Sequence, residues 1–386
     1  MGKADKIRVA VLYGGRSGEH EVSLVSATNV IQNLDRSLFD VVPIGIDKQG
    51  GWFLGDDILK KELSAPTMLR LQRDTERMLF NPDLIGKAVQ QVQPSQLLSK
   101  ASASGRLFDV VFPVIHGTLC EDGTVQGLLE LAEVPYVGCG VLSSAVGMDK
   151  DVSKRLIKSA GMLVPDYLVI KRGQWEQNAK QFCDRVNEQL RYPVFVKPAN
   201  TGSSVGVQKV KKPEELIDAI KTAFRYDTKV VVEQGIDVIE IEVAVLESLT
   251  HGADPIVSIP GEIRPSAKHE FYSYASKYLD ETGADALIPA PISKDLQEKV
   301  RQFAKDIFLA LECEGMARVD LFLERGTDKI YFNEVNTIPG FTQISMYPKM
   351  MAASGVGYTE LLTHLIKLAI DRHTRKAQLN REYVAG

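Results

Sequence analysis

Short β-branched apolar runs alternate with helical patterns in the first third of the chain. Apolar runs at residues 7–13, 41–46 and 108–115 are typical of buried parallel strands, and residues 26–34 have helical spacing. Strand, helix and strand in this order predict a doubly wound α/β unit built on a parallel sheet. We expect this first domain to cover residues 1–140.

The hydrophobic pattern changes in the middle of the chain, where shorter predicted strands are separated by small-residue turns and polar helices. The expected elements are a helix at 150–160, strands at 193–198 and 205–210, a helix that starts with proline at 213–224, and a strand at 229–234. This pattern predicts a smaller α+β domain over residues 141–240.

The last third combines strands and a long helix around a polar stretch. Strands are expected at 241–246 and 317–323, and a helix at 295–311. Residues 269–283 have no core pattern, and a long segment of this kind inside a compact domain is usually functional or disordered. We therefore expect a third domain over 241–386 that carries a mobile loop, in a chain of overall α/β (α+β) class.

Composition excludes several classes of protein. Hydrophobic residues make up 44% and charged residues 25% of the 386 residues, and the net charge of −4 argues against nucleic-acid binding through bulk positive charge. The four cysteines form no CxxC pair, which favours reduced thiols. Apolar runs are too short to span a bilayer, and no signal-peptide pattern opens the chain. We expect a cytoplasmic protein with no membrane partner.

The strongest local signal is residues 197–207, KPANTGSSVGV, where a lysine ends one strand and a small-residue hairpin leads to the next. Glycine and serine let backbone N–H groups approach a polyphosphate, the Ser203 and Ser204 hydroxyls add donors, and Lys197 adds a positive charge. The Walker A spacing is absent. The same composition also suits a plain Gly/Ser hairpin, so both interpretations stay open at this point.

A second signal combines charge with strand alternation. Arg318 and Asp320 are two apart on one predicted strand, and Glu334 and Asn336 are two apart on another, so each pair projects to one face. Asp320, Glu334 and Asn336 offer the oxygen ligands that Mg²⁺ prefers beside phosphates. Arg318 beside them would neutralise charge on a transferring group. The alternative is a solvated polar face, which the apolar residues between them make less favourable.

Weaker signals follow other strands. The Pro339-Gly340 turn has N–H groups beyond it that suit an oxyanion or carboxylate, although most such pairs are only turns. Residues 14–23 have glycines after the first strand but lack the GxGxxG spacing of a dinucleotide loop. His116, at another strand end, is interpreted as a residue that lines the site and not as a base.

Together these motifs resemble the D-alanine–D-alanine ligase family of the ATP-grasp superfamily. Seven segments match in the same order over nearly the whole chain: residues 14–23 (GGRSGEHEVS), 116–123 (HGTLCEDG), 147–150 (GMDK), 197–206 (KPANTGSSVG), 272–278 (YSYASKY), 316–320 (MARVD) and 333–345 (NEVNTIPGFTQIS). The resemblance implies three domains with ATP held between the second and third. It also implies ATP-dependent ligation of two D-alanine molecules for peptidoglycan synthesis, through a D-alanyl phosphate.

The resemblance also implies a role for each matching residue. Glu19 would hold the first D-alanine and be linked through Ser203 to Tyr278, while Arg318 and the Gly340 N–H would form the oxyanion hole. His116, Lys277, Ser345 and Met346 would bind substrate. The expected ATP ligands are Lys150, Lys197, Ser204, Glu233, Gln234, Ile236 and Glu240, and the expected ligands of two Mg²⁺ ions, or of Mn²⁺, are Asp320, Glu334 and Asn336.

Alternatives within and beyond the family remain at this stage. Lys277-Tyr278 favours an amine as second nucleophile, but a D-alanine–D-serine or D-alanine–D-lactate ligase is the nearest rival. A non-catalytic ATP-binding module predicts loss of the metal or oxyanion residues, all of which are present. A nicotinamide-dependent dehydrogenase would require a GxGxxG motif, and the glycines after the first strand have a different spacing. A homodimer through the first domain is an expectation from family resemblance alone.

Overall fold

The first sheet combines a parallel core with an antiparallel edge. The computed structural model describes residues 6–54, 107–265 and 284–381. Its first four strands are β1 (Ile7–Gly14), β2 (Phe39–Ile46), β3 (Trp52–Leu54) and β4 (Val110–Pro113), in the spatial order β3-β2-β1-β4. Strand β1 pairs in parallel with β2 and β4, and β3 runs antiparallel to β2. The predicted parallel α/β unit is confirmed.

Two helices pack beside this sheet: α1 (His20–Asn33) and α2 (Thr124–Leu131). Helix α1 begins six residues before the predicted start at residue 26. Its first turns carry buried polar residues, and Ser23 Oγ accepts a hydrogen bond from the Gly14 N–H at 2.8 Å. Ser23 is one of the polar residues that obscured the start of this helix in the sequence, and its hydroxyl accepts the hydrogen bond of the last residue of β1.

The second sheet is antiparallel and follows a pair of linking helices, α3 (Val141–Met148) and α4 (Lys150–Ser159). Its strands are β5 (Tyr167–Lys171), β6 (Val194–Pro198), β7 (Gln208–Val210) and β8 (Lys229–Gln234), in the order β5-β8-β6-β7. Helices α5 (Arg172–Gln189) and α6 (Leu216–Ala223) cover it. Strand β7 begins at Gln208 instead of the predicted residue 205, because Gly206 has a positive φ, which extended strands do not allow.

The third sheet holds the long strands of the second half of the chain. Its strands are β9 (Val238–Leu246), β10 (Ile256–Val257), β11 (Gly261–Pro265), β12 (Ala284–Leu287), β13 (Met316–Glu324) and β14 (Ile330–Asn336), with the main order β12-β11-β9-β13-β14 and β10 paired to β9. The helices of this region are α7 (Lys294–Ala310), α8 (Met346–Ala353) and α9 (Tyr358–Ala377). Among the described residues, no helix is long and apolar enough to cross a membrane.

The first and third sheets share one apolar core. Val9 and Phe112 of the first sheet belong to the same buried cluster as Tyr347 and Leu365 from helices α8 and α9. Arg372 of α9 is also buried and donates to the carbonyl oxygens of Gly138 and Tyr136, at 2.6 and 2.7 Å. Because buried polar groups need such partners, this contact fixes the junction between the sheets.

Candidate functional site

The turn between β6 and β7 forms a strained small-residue loop, residues 199–206. Ser203 and Ser204 have φ of 48° and 57°, in the left-handed region that non-glycine residues seldom adopt. Gly206 has φ of 74°, and a Cβ there would lie 2.9 Å from Pro198 Cγ. Backbone strain of this kind is typical of ligand-binding loops.

Lys150, the first residue of helix α4, forms two hydrogen bonds to this loop. The Lys150 N–H donates to the Ala199 carbonyl at 3.0 Å, and Lys150 Nζ donates to the Thr201 carbonyl at 2.7 Å. The same Nζ lies 3.4 Å from Glu334 Oε2 on β14. Lys150 therefore joins the second and third sheets at one point, with its charge between the loop and the acidic strand.

Glu233 on β8 lies between two lysines. Its Oε1 accepts from Lys197 Nζ at 2.6 Å, and its Oε2 lies 2.7 Å from Lys154 Nζ. Burial alone raises the pKa of Glu233, but attraction to Lys154 and Lys197 outweighs it and leaves the pKa below its usual value. One carboxylate against two ammonium groups leaves net positive charge beside the loop.

Lys197, Glu233 and part of the loop line a cavity of about 590 Å³ between the second and third sheets. Apolar side chains such as Phe195 and Phe322 line it together with charged ones, as expected for a site that binds a base and a polyphosphate. The sequence-predicted residues that line it are Lys150, Lys197, Ser204, Glu233, Gln234, Ile236, Glu240, Asp320 and Glu334.

The acidic side of the cavity comes from strand pairing. Asp320 on β13 is the cross-strand partner of Glu334 on β14 and of Glu242 on β9, so three carboxylates form a row on one sheet face. Arg318 donates to both oxygens of Asp320, each at 2.7 Å. Mg²⁺ is usually held by one or two carboxylates together with substrate phosphates, and the pairing of Asp320 with Glu334 fits that donor set.

Asn336 follows on the same strand but does not line the cavity. With the amide oriented so that its nitrogen faces acceptors, that nitrogen donates to Glu121 Oε1 at 3.1 Å and to the Ile338 carbonyl at 3.2 Å. The amide oxygen points the opposite way, since the two atoms sit on either side of the same carbon. The contact with Glu121 ties the end of β14 to the loop that follows β4.

Glu19 and Ser203 meet on a different side of the 199–206 loop. The Ser203 hydroxyl donates to Glu19 Oε1, and the Glu19 residue is 8% exposed. A Cβ on Gly117 would lie 2.6 Å from Glu19 Oε2, and one on Gly202 would lie 2.9 Å from it. Two glycines thus make room for the carboxylate where the segment after β4 meets the 199–206 loop.

His116 is buried at the end of β4 and joins three segments. Its Nδ1 donates to the Ile338 carbonyl at 3.0 Å, and its Nε2 lies 3.1 Å from Ser26 Oγ on α1. Burial lowers its pKa, but the hydrogen bond and charge of Glu121 and the charge of Glu19 outweigh burial, so the pKa is raised. Ser26 Oγ also accepts from the Phe341 N–H at 3.2 Å.

The turn after β14 brings the remaining predicted residues together. A Cβ on Gly340 would lie 2.7 Å from Ser345 Oγ, and that oxygen accepts from the Thr342 N–H at 3.0 Å. Ser345 precedes helix α8 without capping it through its side chain, and Met346 begins the helix. The first N–H groups of a helix are suited to carboxylate binding.

Apart from Arg318 and Asn336, the described predicted site residues outside the cavity lining form two further groups: Glu19, His116 and Ser203 near α1, and Gly340, Ser345 and Met346 at and before the start of α8. Arg318 lies on β13 beside the cavity residue Asp320. Lys277, Tyr278 and the expected loop at 269–283 lie outside the described residues.

Sequence reasoning missed Lys154, Glu242 and the contact between Glu121 and Asn336. Lys154 lies four residues after Lys150 on α4, and Glu242 lies two after Glu240 on β9. Helical and strand spacing place each on the face of a predicted site residue, which was the available signal. Their partners, Glu233 and Arg318, come from distant strands and required the fold.

Comparisons with known proteins show which family both halves of the chain resemble. The family model "D-ala D-ala ligase N-terminus" matches residues 8–139, and "D-ala D-ala ligase C-terminus" matches 156–367. The chain is 53% identical to D-alanine--D-alanine ligase A of Bradyrhizobium diazoefficiens, over 99% of this chain and 100% of that protein. It is 47% identical to a D-alanine--D-alanine ligase of Caldicellulosiruptor bescii, over 97% and 98%.

Solved structures give the same result. A D-alanine-D-alanine ligase from Coxiella burnetii superposes with a TM-score of 0.76 at 36% identity, over 97% of each chain. The VanG D-Ala:D-Ser ligase from Enterococcus faecalis gives 0.75 at 35% identity, over 95% of this chain and 100% of that one. With these matches across both halves, the chain belongs to the D-alanine–D-alanine ligase family.

Proposed function

We propose that this protein joins two D-alanine molecules into D-alanyl-D-alanine, with ATP converted to ADP and phosphate, for peptidoglycan synthesis. The observation that carries the proposal is the cavity in which Lys150 and Lys197 face the carboxylates Asp320 and Glu334. Full-length relatives are named for this ligation at up to 53% identity, which favours D-alanine over D-serine or D-lactate as second substrate.

The reaction needs activation, because a carboxylate is a poor acyl donor. In the first step an oxygen of the first D-alanine's carboxylate attacks the γ-phosphorus of ATP, and ADP leaves. In the second step the amine of the second D-alanine attacks the acylphosphate carbonyl, loses a proton, and phosphate leaves. Water would hydrolyse the intermediate, so the site must exclude it.

We assign nucleotide binding to the cavity between the second and third sheets. Lys150 and Lys197 would bind the phosphates as positive charges. The Ser204 hydroxyl and the backbone N–H groups of the strained loop would act as hydrogen-bond donors. The backbone of Gln234 and Ile236 would contact adenine, with Glu233 beside it and Glu240 at the ribose, since all of them line the cavity. Glu233 would also orient Lys197, which it contacts at 2.6 Å.

Asp320, Glu334 and Asn336 would hold the divalent cations, two Mg²⁺ ions or Mn²⁺. When bound, such ions offset the repulsion between the anionic nucleophile and the phosphates. Within the described residues no cluster of three or more His, Cys, Asp or Glu side chains forms a metal cage. A site completed by phosphate oxygens agrees with that observation.

Amino-acid binding is assigned to the two groups beside the cavity. Glu19 would hold the ammonium of the first D-alanine, with His116 lining the site, and Ser203 would link that contact to the nucleotide loop. Arg318 and the Gly340 N–H would stabilise the oxyanion of the tetrahedral intermediate. Ser345 and the Met346 N–H would bind the carboxylate of the second D-alanine; Lys277 and Tyr278 keep the roles implied by family resemblance.

Three further expectations belong to this proposal. We propose domains at 1–140, 141–240 and 241–386, supported by the three separate sheets. A homodimer and a cytoplasmic location are expectations from family resemblance. Light scattering on the purified chain would test the dimer.

The purified protein tests the function directly. With magnesium ATP and D-alanine we expect ADP, phosphate and D-alanyl-D-alanine in equal amounts, and no turnover with L-alanine. Parallel reactions that add D-serine or D-lactate compare second substrates at equal concentration. Absence of ADP and dipeptide would overturn the proposal, and a depsipeptide as main product would overturn the choice of second substrate.

A further inference from the structure

Arg318 lies between two carboxylates of the acidic row on the third sheet. Its Nε and Nη2 donate to Asp320, each at 2.7 Å, and the same Nε lies 3.2 Å from Glu242 Oε2. Asp320 and Glu242 are in register on β13 and β9, so both side chains project from one face. Both residues are buried, with 8% and 5% of their surface exposed.

The roles proposed for Asp320 and Arg318 compete in this arrangement. A bidentate arginine occupies both carboxylate oxygens of Asp320, and a divalent cation takes carboxylate oxygens as its ligands. A bound cation also repels the guanidinium and weakens its attraction to Asp320. Arg318 then depends on another anion to stay at the reaction centre, and Glu242 is already in contact with it.

We propose that Glu242 is a positioning residue that retains Arg318 when the magnesium nucleotide engages Asp320. The inference rests on the proposed function, because it assumes that Arg318 stabilises the oxyanion. Glu242 acts through Arg318, so it affects the chemical step more than nucleotide binding.

The chain offers a matched control in Glu262. This glutamate lies on β11, which also pairs with β9, lines the same cavity and is 4% exposed, against 5% for Glu242. Its carboxylate accepts from Arg264 Nε at 2.9 Å. Glu242→Gln and Glu262→Gln therefore make the same chemical change at similar burial, and the first one alone changes a contact of Arg318.

Steady-state kinetics gives the first readout. For Glu242→Gln we expect kcat to fall about 10- to 100-fold, the size of a lost charge-assisted hydrogen bond, with KM for ATP within about twofold of wild type. Glu262→Gln also changes a carboxylate of the cavity, so it is compared with Glu242→Gln rather than with wild type, and its kcat should fall at least about threefold less than that of Glu242→Gln. If wild type forms no dipeptide, the proposed function fails; if wild type is active and the two variants behave alike, the Glu242 inference alone is wrong.

Hydrogen exchange at Arg318 Nε distinguishes a positioning role of Glu242 from a purely structural role. The NMR signal, identified by its loss in Arg318→Lys, is followed without ligand and with magnesium plus adenylyl imidodiphosphate. In Glu242→Gln we expect exchange to accelerate at least about tenfold with the magnesium nucleotide only, since Asp320 holds Arg318 without it. Acceleration in both states, or in neither, would contradict the inference.

A crystal structure of the wild-type protein with the same analogue tests the inference without any variant. We expect Arg318 to keep its contact with Glu242 and to lose the bidentate contact with Asp320. An Arg318 that remains bidentate on a cation-bound Asp320 would overturn the proposal.

Discussion

Ser203 and Glu19 are 184 positions apart in the chain and share a hydrogen bond in the fold. The serine lies in the strained loop between β6 and β7, and the glutamate immediately precedes α1. A hydrogen bond to an ionised carboxylate is stronger than one between neutral groups. This contact couples the loop that we assign to the nucleotide to the proposed site of the first D-alanine.

A double-mutant cycle tests that coupling. Ser203→Ala and Glu19→Gln should each raise KM for the first D-alanine, by about 10- to 100-fold for loss of a charged hydrogen bond. The double variant should lose less than the product of the two effects, because both changes remove the same contact. Independent effects that multiply would show that the two residues act separately.

Gly206→Ala should disturb the same loop through its backbone. An added Cβ would meet Pro198 Cγ at 2.9 Å and Tyr226 Cδ2 at 2.6 Å, and the φ of 74° disfavours alanine. Gly252→Ala is the control, since φ is 78° there and no atom lies within 4 Å of the new Cβ. Both variants should lose about 1–2 kcal/mol of stability from φ alone, and only Gly206→Ala should raise KM for ATP. Equal KM values would contradict the role of the loop.

Arg318→Ala should lower kcat by about 10²–10³-fold with little change in nucleotide affinity, as for loss of an oxyanion donor. Nucleotide affinity is measured by titration with the non-hydrolysable analogue. The exposed Arg155→Ala variant controls for loss of an arginine elsewhere. An unchanged kcat in Arg318→Ala would remove Arg318 from the proposed oxyanion hole.

Lys154→Met should destabilise the protein strongly. Lys154 is fully buried, and its Nζ lies 2.7 Å from Glu233 Oε2 and 3.2 Å from the Asn333 carbonyl. Removal of one partner from a buried ion pair costs about 3–5 kcal/mol. Urea unfolding should show this loss, whereas Lys158→Met, exposed on the same helix, should stay close to wild type. Similar midpoints for the two variants would show that Lys154 contributes little.

His116 should make stability depend on pH near neutrality. Its pKa is raised above the usual 6.5 in the folded state, so the folded protein binds the proton more tightly than the unfolded chain. Its stabilisation is therefore complete below pH 6.5 and is lost as pH rises through the folded pKa. Unfolding free energies of wild type and His116→Asn across this range should differ in slope, and the exposed His251→Asn should keep the wild-type slope. Equal slopes for wild type and His116→Asn would contradict the shift.

The sequence predicted the strands better than the segments between them. Apolar runs located β1 and β8 to within a residue, because buried strands need continuous apolar side chains. Helix α5 and strand β5 were missed, since α5 buries only Trp175, Phe182 and Val186 within its 18 residues. Strand β7 was predicted three residues too long, because the side-chain pattern does not show that Gly206 has a positive φ.

Side-chain chemistry and local spacing along the chain determined much of the candidate site. Residues two apart on a strand share a face whatever the rest of the fold does, so Arg318 with Asp320 and Glu334 with Asn336 were paired from spacing alone. Family resemblance added the roles of Glu19 and Ser203 without a distance between them.

Only the tertiary structure decided which charges face each other. Glu233 lies between Lys154 and Lys197, and Arg318 between Asp320 and Glu242, through strand pairing and helix packing that join residues far apart in the chain. Spacing along a chain fixes the direction of neighbouring side chains, whereas the partner of a buried charge depends on which distant strand lies alongside, and that is set by the packing of the whole core.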